Sequence, residues 1–156
     1  MKVNWKLLLL CIAIPLGVGG LAAFLTKDSM EAFAALNQPP LSPPGWLFPV
    51  VWSVLYILMG IASYLVITSG AGEEEIRRAL WPYGIQLIFN FFWSILFFNL
   101  SVYLFSFFWL LGLWILIYVT MVRFYRIAPR AGDLMLPYLL WVTFAGYLNF
   151  GIYLLN

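Results

Sequence analysis

Long uncharged runs, separated by short clusters of charge, dominate this chain. The first extends from Leu7 to Thr26, bracketed by Lys6 and Lys27. At about 1.5 Å of rise per residue, a helix of that length crosses the roughly 30 Å hydrocarbon core of a bilayer. A secretory signal peptide could also carry Lys2 and Lys6 and end near Ala22-Ala23, but its apolar core is usually only about 7–15 residues. The longer run predicts a span. A second run starts at Trp46 and ends near Gly70-Ala71-Gly72. No charge appears between Ala79 and Val122, about twice what one helix of ~20 residues needs. That run predicts two helices with a tight turn at Asn99-Leu100-Ser101, where Asn and Ser support turns. The last run begins at Leu134. The pattern predicts an all-α integral membrane bundle of five transmembrane helices, one domain over 1–156. Its spans lie near 7–26, 46–69, 79–98, 102–122 and 134–154, with a lid-like loop at 27–45.

Composition strengthens this reading. Of 156 residues, 65% are hydrophobic and 9% charged, against roughly 25% charged in a soluble domain. Cys11 is the only cysteine, so there is no disulfide framework. Histidine is absent, which removes the commonest metal ligand, the usual haem axial ligand and the usual general base. No metal or other cofactor is expected, and nothing points to nucleic acid.

Charge also orients the bundle. With five spans, Lys2, Lys6, Arg77, Arg78, Arg123, Arg126 and Arg130 share one side, and Lys27 stands alone on the other. The positive-inside rule puts the N-terminus in the cytoplasm and the 1–2 loop outside; acidic Glu73-Glu74-Glu75 counts little in that rule and favours the start of the third helix through its dipole. The basic loop between spans four and five also suits anionic lipid.

The 1–2 loop has its own order. Asp28 followed by Glu31 predicts a variant capping box, and Asn37 and Pro39 would stop the short helix it opens. Four prolines between 39 and 44 cannot be helical, since proline lacks the backbone donor and clashes with the preceding turn. The result is a stiff strap ending at Trp46, either a lid over the bundle or a compact connection.

Polar side chains in mid-membrane are costly and usually face the bundle interior. Gln86 and Asn90 share one helix face with Trp93; Trp141, Ala145, Leu148 and Asn149 share another; Trp52 and Tyr56 share a third. Converging inward, these stripes would form an apolar pocket with a few orienting polar atoms, as small-molecule sites have. Asn and Gln can also serve only as glue between helices. Trp5, Trp46, Trp81 and Trp109 fit the aromatic belt at the membrane interface. Gly17, Gly19, Gly20, Ala22 and Ala23 allow close helix approach, or leave a gap for ligand beside Ala22.

Several segments together resemble the translocator protein / tryptophan-rich sensory protein family, which includes the peripheral-type benzodiazepine receptors. They are Pro43-Pro44-Gly45-Trp46 through Trp52, Leu55 to Gly60, Asn90-Phe91-Phe92-Trp93 with Phe97-Phe98, Pro137 to Trp141, and Leu148-Asn149. The resemblance covers essentially the whole chain and implies a bacterial cell-membrane protein, often a homodimer. It implies binding of porphyrins, especially protoporphyrin IX, and of synthetic isoquinoline carboxamide and benzodiazepine ligands. The ligand pocket would map onto Trp52, Tyr56, Asn90, Trp93, Trp141, Ala145 and Leu148, with Phe48 and Ala22 at its rim. Light-driven porphyrin degradation, a property of some bacterial members, would assign catalytic roles to Trp52 and Trp141. The family's cholesterol-recognition segment calls for a Tyr and a basic residue where Phe150 and Leu154 stand, which speaks against high-affinity cholesterol binding.

Aromatic faces suit the flat porphyrin disc. With no Lys or Arg deep in the bundle, its propionates would point to the loop mouth, where Lys27 is the nearby cation. The leading reading is a porphyrin-binding receptor or sensor. A light-dependent porphyrin-degrading enzyme and a tetrapyrrole or lipid transporter are the alternatives. No nucleophile–base pair supports acid–base chemistry, and neither an internal repeat nor a buried ionisable residue points to transport.

Overall fold

The computed structural model describes residues 2–156, and these build helices without strands. They are α1 (Trp5–Thr26), a 3-10 turn (Lys27–Ser29), the short α2 (Met30–Ala34), α3 (Leu47–Ile67), α4 (Glu73–Ser94), α5 (Tyr103–Ile127) and α6 (Pro129–Leu155). The end of α4 widens into a π-helical stretch, Ile95–Asn99. Five helices are long and apolar enough to cross a membrane. Helical hydrogen bonding satisfies most of their backbone internally, as the hydrocarbon core demands. The chain is an integral membrane protein.

The helices close into a ring. α1 packs on α3, α3 on α6, α6 on α5 and α5 on α4, and α4 with its π stretch returns to α1. Inside the ring a continuous core runs from Val66, Ala79 and Phe124 at one end through Met59, Leu113 and Tyr138 to Phe97 and Ile152 at the other. The outer faces of α1, α4 and α5 expose large apolar side chains such as Leu9, Phe24, Ile88 and Phe108, as lipid contact requires.

Two helices start before their uncharged runs. α4 begins at Glu73, six residues before the uncharged run, because Glu74 pairs with Arg77 and Arg78 on the same face and carboxylates suit a helix N-terminus. α6 begins at Pro129 in the first helical position, where the missing N–H costs nothing; Arg130 and Asp133 ride on its first turns. The turn at 99–101 forms as expected, with Ser101 in the left-handed region at φ 54°.

Small residues act at fewer places than the sequence implied. A Cβ on Gly19 would lie 2.1 Å from the Tyr56 ring, whereas Gly17 and Gly20 face open space and Ala23 is exposed. The tightest backbone approach is at Gly60 on α3, where a Cβ would sit 2.6 Å from the Cα of Ile12 and 2.7 Å from the carbonyl oxygen of Cys11.

The Asp28–Glu31 capping box does not form. Asp28 lies inside the 3-10 turn, and Ser29 is the residue before α2. Its hydroxyl instead donates to Asn99 Oδ1 at 2.6 Å, while Asn99 Nδ2 donates to the Leu25 carbonyl at 3.0 Å. This ties the start of the loop to the π stretch, and Phe33 packs edge-on against Phe97 and Phe98. The far part of the strap is tied to α6. Asn37 N–H donates to Asn156 Oδ1 at 3.0 Å, Asn156 Nδ2 donates back to the Asn37 carbonyl at 2.9 Å, and the Tyr147 hydroxyl donates to the Pro40 carbonyl at 2.7 Å. The strap is pinned at both ends, and its tip, Leu41, is exposed and held at φ 70°.

Candidate ligand site

The stripes on α3, α4 and α6 do converge. Trp52 on α3 stacks on Tyr56 one turn below it, with centroids 5.6 Å apart and planes 26° apart. Its edge meets Trp141 on α6 at 6.4 Å and 89°, and Tyr138, one turn away on the same helix, at 6.2 Å and 73°. Phe48, in the first turn of α3 after the strap, approaches Trp141 edge-on at 5.9 Å. Edge-to-face contacts match the positive rim of one ring to the negative face of the next. The result is an aromatic box, Phe48–Trp52–Trp141, directly beneath the chain that leaves the strap.

Below the box lies a polar chain. The Tyr56 hydroxyl donates to Asn90 Oδ1 at 3.1 Å, Asn90 Nδ2 donates to the Tyr138 hydroxyl at 2.7 Å, and that hydroxyl donates to Gln86 Oε1 at 2.6 Å. Gln86, Asn90 and Tyr138 are almost wholly inaccessible. The chain ties α3, α4 and α6 together and leaves each hydroxyl paired.

Trp141 breaks that rule. Its Nε1–H is buried and is the one such side-chain polar atom among the described residues without a hydrogen-bond partner. A buried donor left bare costs about 1–3 kcal/mol, so this position calls for an acceptor.

Trp93 belongs to a second cluster. Its indole N–H donates to Asn149 Oδ1 at 3.0 Å, and its ring stacks on Phe97 at 5.1 Å. Asn149 in turn donates to the Tyr103 carbonyl at 2.8 Å, so this pair joins α4, α5 and α6. Ala145 lies in the same continuous core; Ala22 and Leu148 are buried but stand outside it. Ala22 is on the turn of α1 next to Gly19, which faces Tyr56.

Sequence reasoning missed Tyr138 as a member of this arrangement. The signal was present, since Tyr138 precedes Trp141 by three positions and shares its helix face. Trp109, read only as a belt residue, is tied to the bundle: it stacks on Phe89 at 4.3 Å and donates to the Phe89 carbonyl at 2.9 Å. Trp5, Trp46 and Trp81 are exposed as belt residues should be.

Comparison with known proteins fits this architecture. Residues 11–155 match the family model described as TspO/MBR family. The chain is 40% identical over 150 residues to the tryptophan-rich protein TspO of Chlorobaculum tepidum, covering 96% of this chain and 95% of the relative. It is 35% identical over 156 residues to the tryptophan-rich sensory protein of Cereibacter sphaeroides, covering all of this chain and 95% of the relative. Against the translocator protein of Bos taurus it is 32% identical over 130 residues, covering 83% of this chain and 77% of the relative. With a match spanning nearly all five helices, the chain belongs to the TspO/MBR family.

Proposed function

We propose that this protein is a membrane receptor that binds protoporphyrin IX, and ligands of the isoquinoline carboxamide and benzodiazepine type, in the aromatic box beneath the strap. The observation that carries this reading is the unpartnered Trp141 Nε1–H, set against Trp52 and Phe48. An aromatic ligand with a carbonyl or carboxylate would gain stacking area and satisfy that donor together. In this reading Tyr56 and Asn90 form the polar floor, and the family resemblance adds Ala145, Leu148, Ala22 and, from the neighbouring cluster, Trp93. Lys27, whose ammonium lies 4.1 Å from the centre of the Phe24 ring, is the cation available to propionates at the mouth. Family membership further supports a homodimer. The likeness to bacterial relatives supports a bacterial cell membrane, and the arginine distribution supports a cytoplasmic N-terminus with the strap outside.

A second reading draws on the Trp52–Trp141 contact. Two indoles edge to face beside a bound photosensitiser would be placed for light-driven oxidation by molecular oxygen, which makes porphyrin degradation the alternative activity. Titration of the purified protein with protoporphyrin IX, following Trp quenching and the porphyrin absorption band in darkness and under light, tests both readings. Binding without protein-dependent band loss identifies a receptor. Band loss that disappears in Trp52→Phe and Trp141→Phe identifies the enzyme. Absence of binding overturns both.

A further inference from the structure

The arginine-rich end of the bundle carries a second, different arrangement. Of its five arginines, Arg77 and Arg78 pair with Glu74, and Arg123 donates to the Arg78 carbonyl at 2.7 Å. Arg126, Arg130 and Asp133 make no ion pair among the described residues. Arg126 and Asp133 line opposite walls of one cleft of about 280 Å³ between α5 and α6. The two charges face the same space without touching each other.

The cleft sits at headgroup depth. Arg126 is in the last turn of α5, and Asp133 is four residues into α6, about 6 Å along its axis. The floor is backbone, because Gly132 packs so closely on α5 that a Cβ there would lie 2.5 Å from the Cβ of Tyr125. Tyr125, half exposed, forms one rim, as aromatic residues with a polar tip do at this level. Toward the hydrocarbon the cleft continues as an apolar trough along Met121, Val122 and Leu136. It thus offers a cation, an anion and an acyl-chain groove, in a volume suited to a headgroup rather than a whole lipid.

We propose that this cleft seats an aminophospholipid, with the phosphodiester on Arg126 and the primary ammonium on Asp133. Charge complementarity selects the occupant. A phosphatidylglycerol head would satisfy Arg126 through its phosphodiester but offers Asp133 only neutral hydroxyls, so the carboxylate gains no counter-charge and the head keeps its net negative charge. A phosphatidylcholine head carries a cation without N–H donors, so it cannot hydrogen-bond the carboxylate. Phosphoethanolamine supplies both signs and the donor. The inference is independent of the aromatic box, which lies on different residues.

The test is native mass spectrometry of the full chain in detergent with equal amounts of phosphatidylethanolamine, phosphatidylglycerol and phosphatidylcholine, on wild type, Asp133→Asn and Arg126→Gln. The expected result is that wild type retains phosphatidylethanolamine over phosphatidylglycerol by about fivefold, the scale of one interfacial ion pair. Asp133→Asn should abolish that preference, while Arg126→Gln should reduce retention of both lipids. Equal or preferential retention of phosphatidylglycerol by the wild type overturns the proposal, and so does an unchanged ratio in a folded Asp133→Asn protein. Thermal midpoints from Trp fluorescence establish folding, and the wild-type ratio stands as a test by itself.

Discussion

Two buried regions, one turn apart, handle polar groups in opposite ways. In the chain from Tyr56 through Asn90 and Tyr138 to Gln86, each hydroxyl has a partner within the protein. In the aromatic box above it, the Trp141 indole N–H has none. Unmade hydrogen bonds are expensive in a membrane interior, so a fold tolerates one only where something else completes it. The closed chain therefore holds three helices in register, and the open donor is the feature on which the proposed ligand site rests. Polarity by itself separates neither role; pairing does.

The strongest way to break this contrast is Tyr138→Phe. It strips one hydroxyl that both donates to Gln86 and accepts from Asn90, leaving an amide oxygen and an amide N–H bare. Interhelical hydrogen bonds in membranes average about 0.6 kcal/mol, and unpaired buried groups cost about 1–3 kcal/mol, so a loss of about 2 kcal/mol is expected. It should read as a clear drop in the thermal midpoint of Trp fluorescence in detergent. A midpoint unchanged from wild type would mean that the chain is not what holds α3, α4 and α6 together.

Trp141→Phe acts on the other region and should show the reverse profile. It removes the bare donor, so the unliganded protein should lose far less stability than Tyr138→Phe does. Porphyrin affinity should fall about tenfold, equivalent to about 1.4 kcal/mol, when followed by quenching of the remaining tryptophans. If Trp141→Phe lowered the midpoint as much as Tyr138→Phe while sparing affinity, the indole would be packing and not recognition.

This contrast was only half legible in the sequence. The five spans follow from charge-free runs, because the cost of charge in hydrocarbon is large and local. Helix ends were less so. Glu73 to Arg78 and Pro129 to Asp133 are charged yet helical, since interfacial charge pairs and caps do not need to be apolar. The stripes Trp52–Tyr56, Gln86–Asn90–Trp93 and Trp141–Asn149 were visible as spacings, but a spacing does not tell which polar atoms find partners. Tyr138 read as part of a motif, although it is the hub of the network. Gly60 read only as the end of a family segment, because its packing role comes from the backbone of Ile12 on another helix. Trp109 looked interfacial and proved to be pinned by Phe89. Asp28 had the spacing of a cap, yet the loop instead used Ser29 for a bond to Asn99, a partner 70 residues away.

A smaller effect is expected at the strap. Asn156→Ala removes the bond accepted from the Asn37 N–H and the one donated to its carbonyl, each worth about 0.5–1.5 kcal/mol at most in an exposed setting. With the cover loosened at one end, porphyrin dissociation in stopped flow should speed up several-fold, with little change in the thermal midpoint. An unchanged dissociation rate would show that ligand leaves by a route the strap does not cover.

The smallest expected effect belongs to Lys27. Its ammonium lies over the Phe24 ring and is exposed, so its attraction for a propionate is screened by water and salt. Lys27→Ala should weaken porphyrin binding only about two- to fivefold at low salt, and the difference should vanish near 1 M salt, where the Debye length is about 3 Å. A benzodiazepine-type ligand without a carboxylate should show no difference at either salt. The box and the mouth can thus be separated: Trp141 should affect both ligand types at all ionic strengths, Lys27 only the acidic one and only at low salt. If Lys27→Ala left porphyrin affinity unchanged at low salt, the propionates would not face the mouth. Recognition would then rest on the indole donor and the aromatic faces alone.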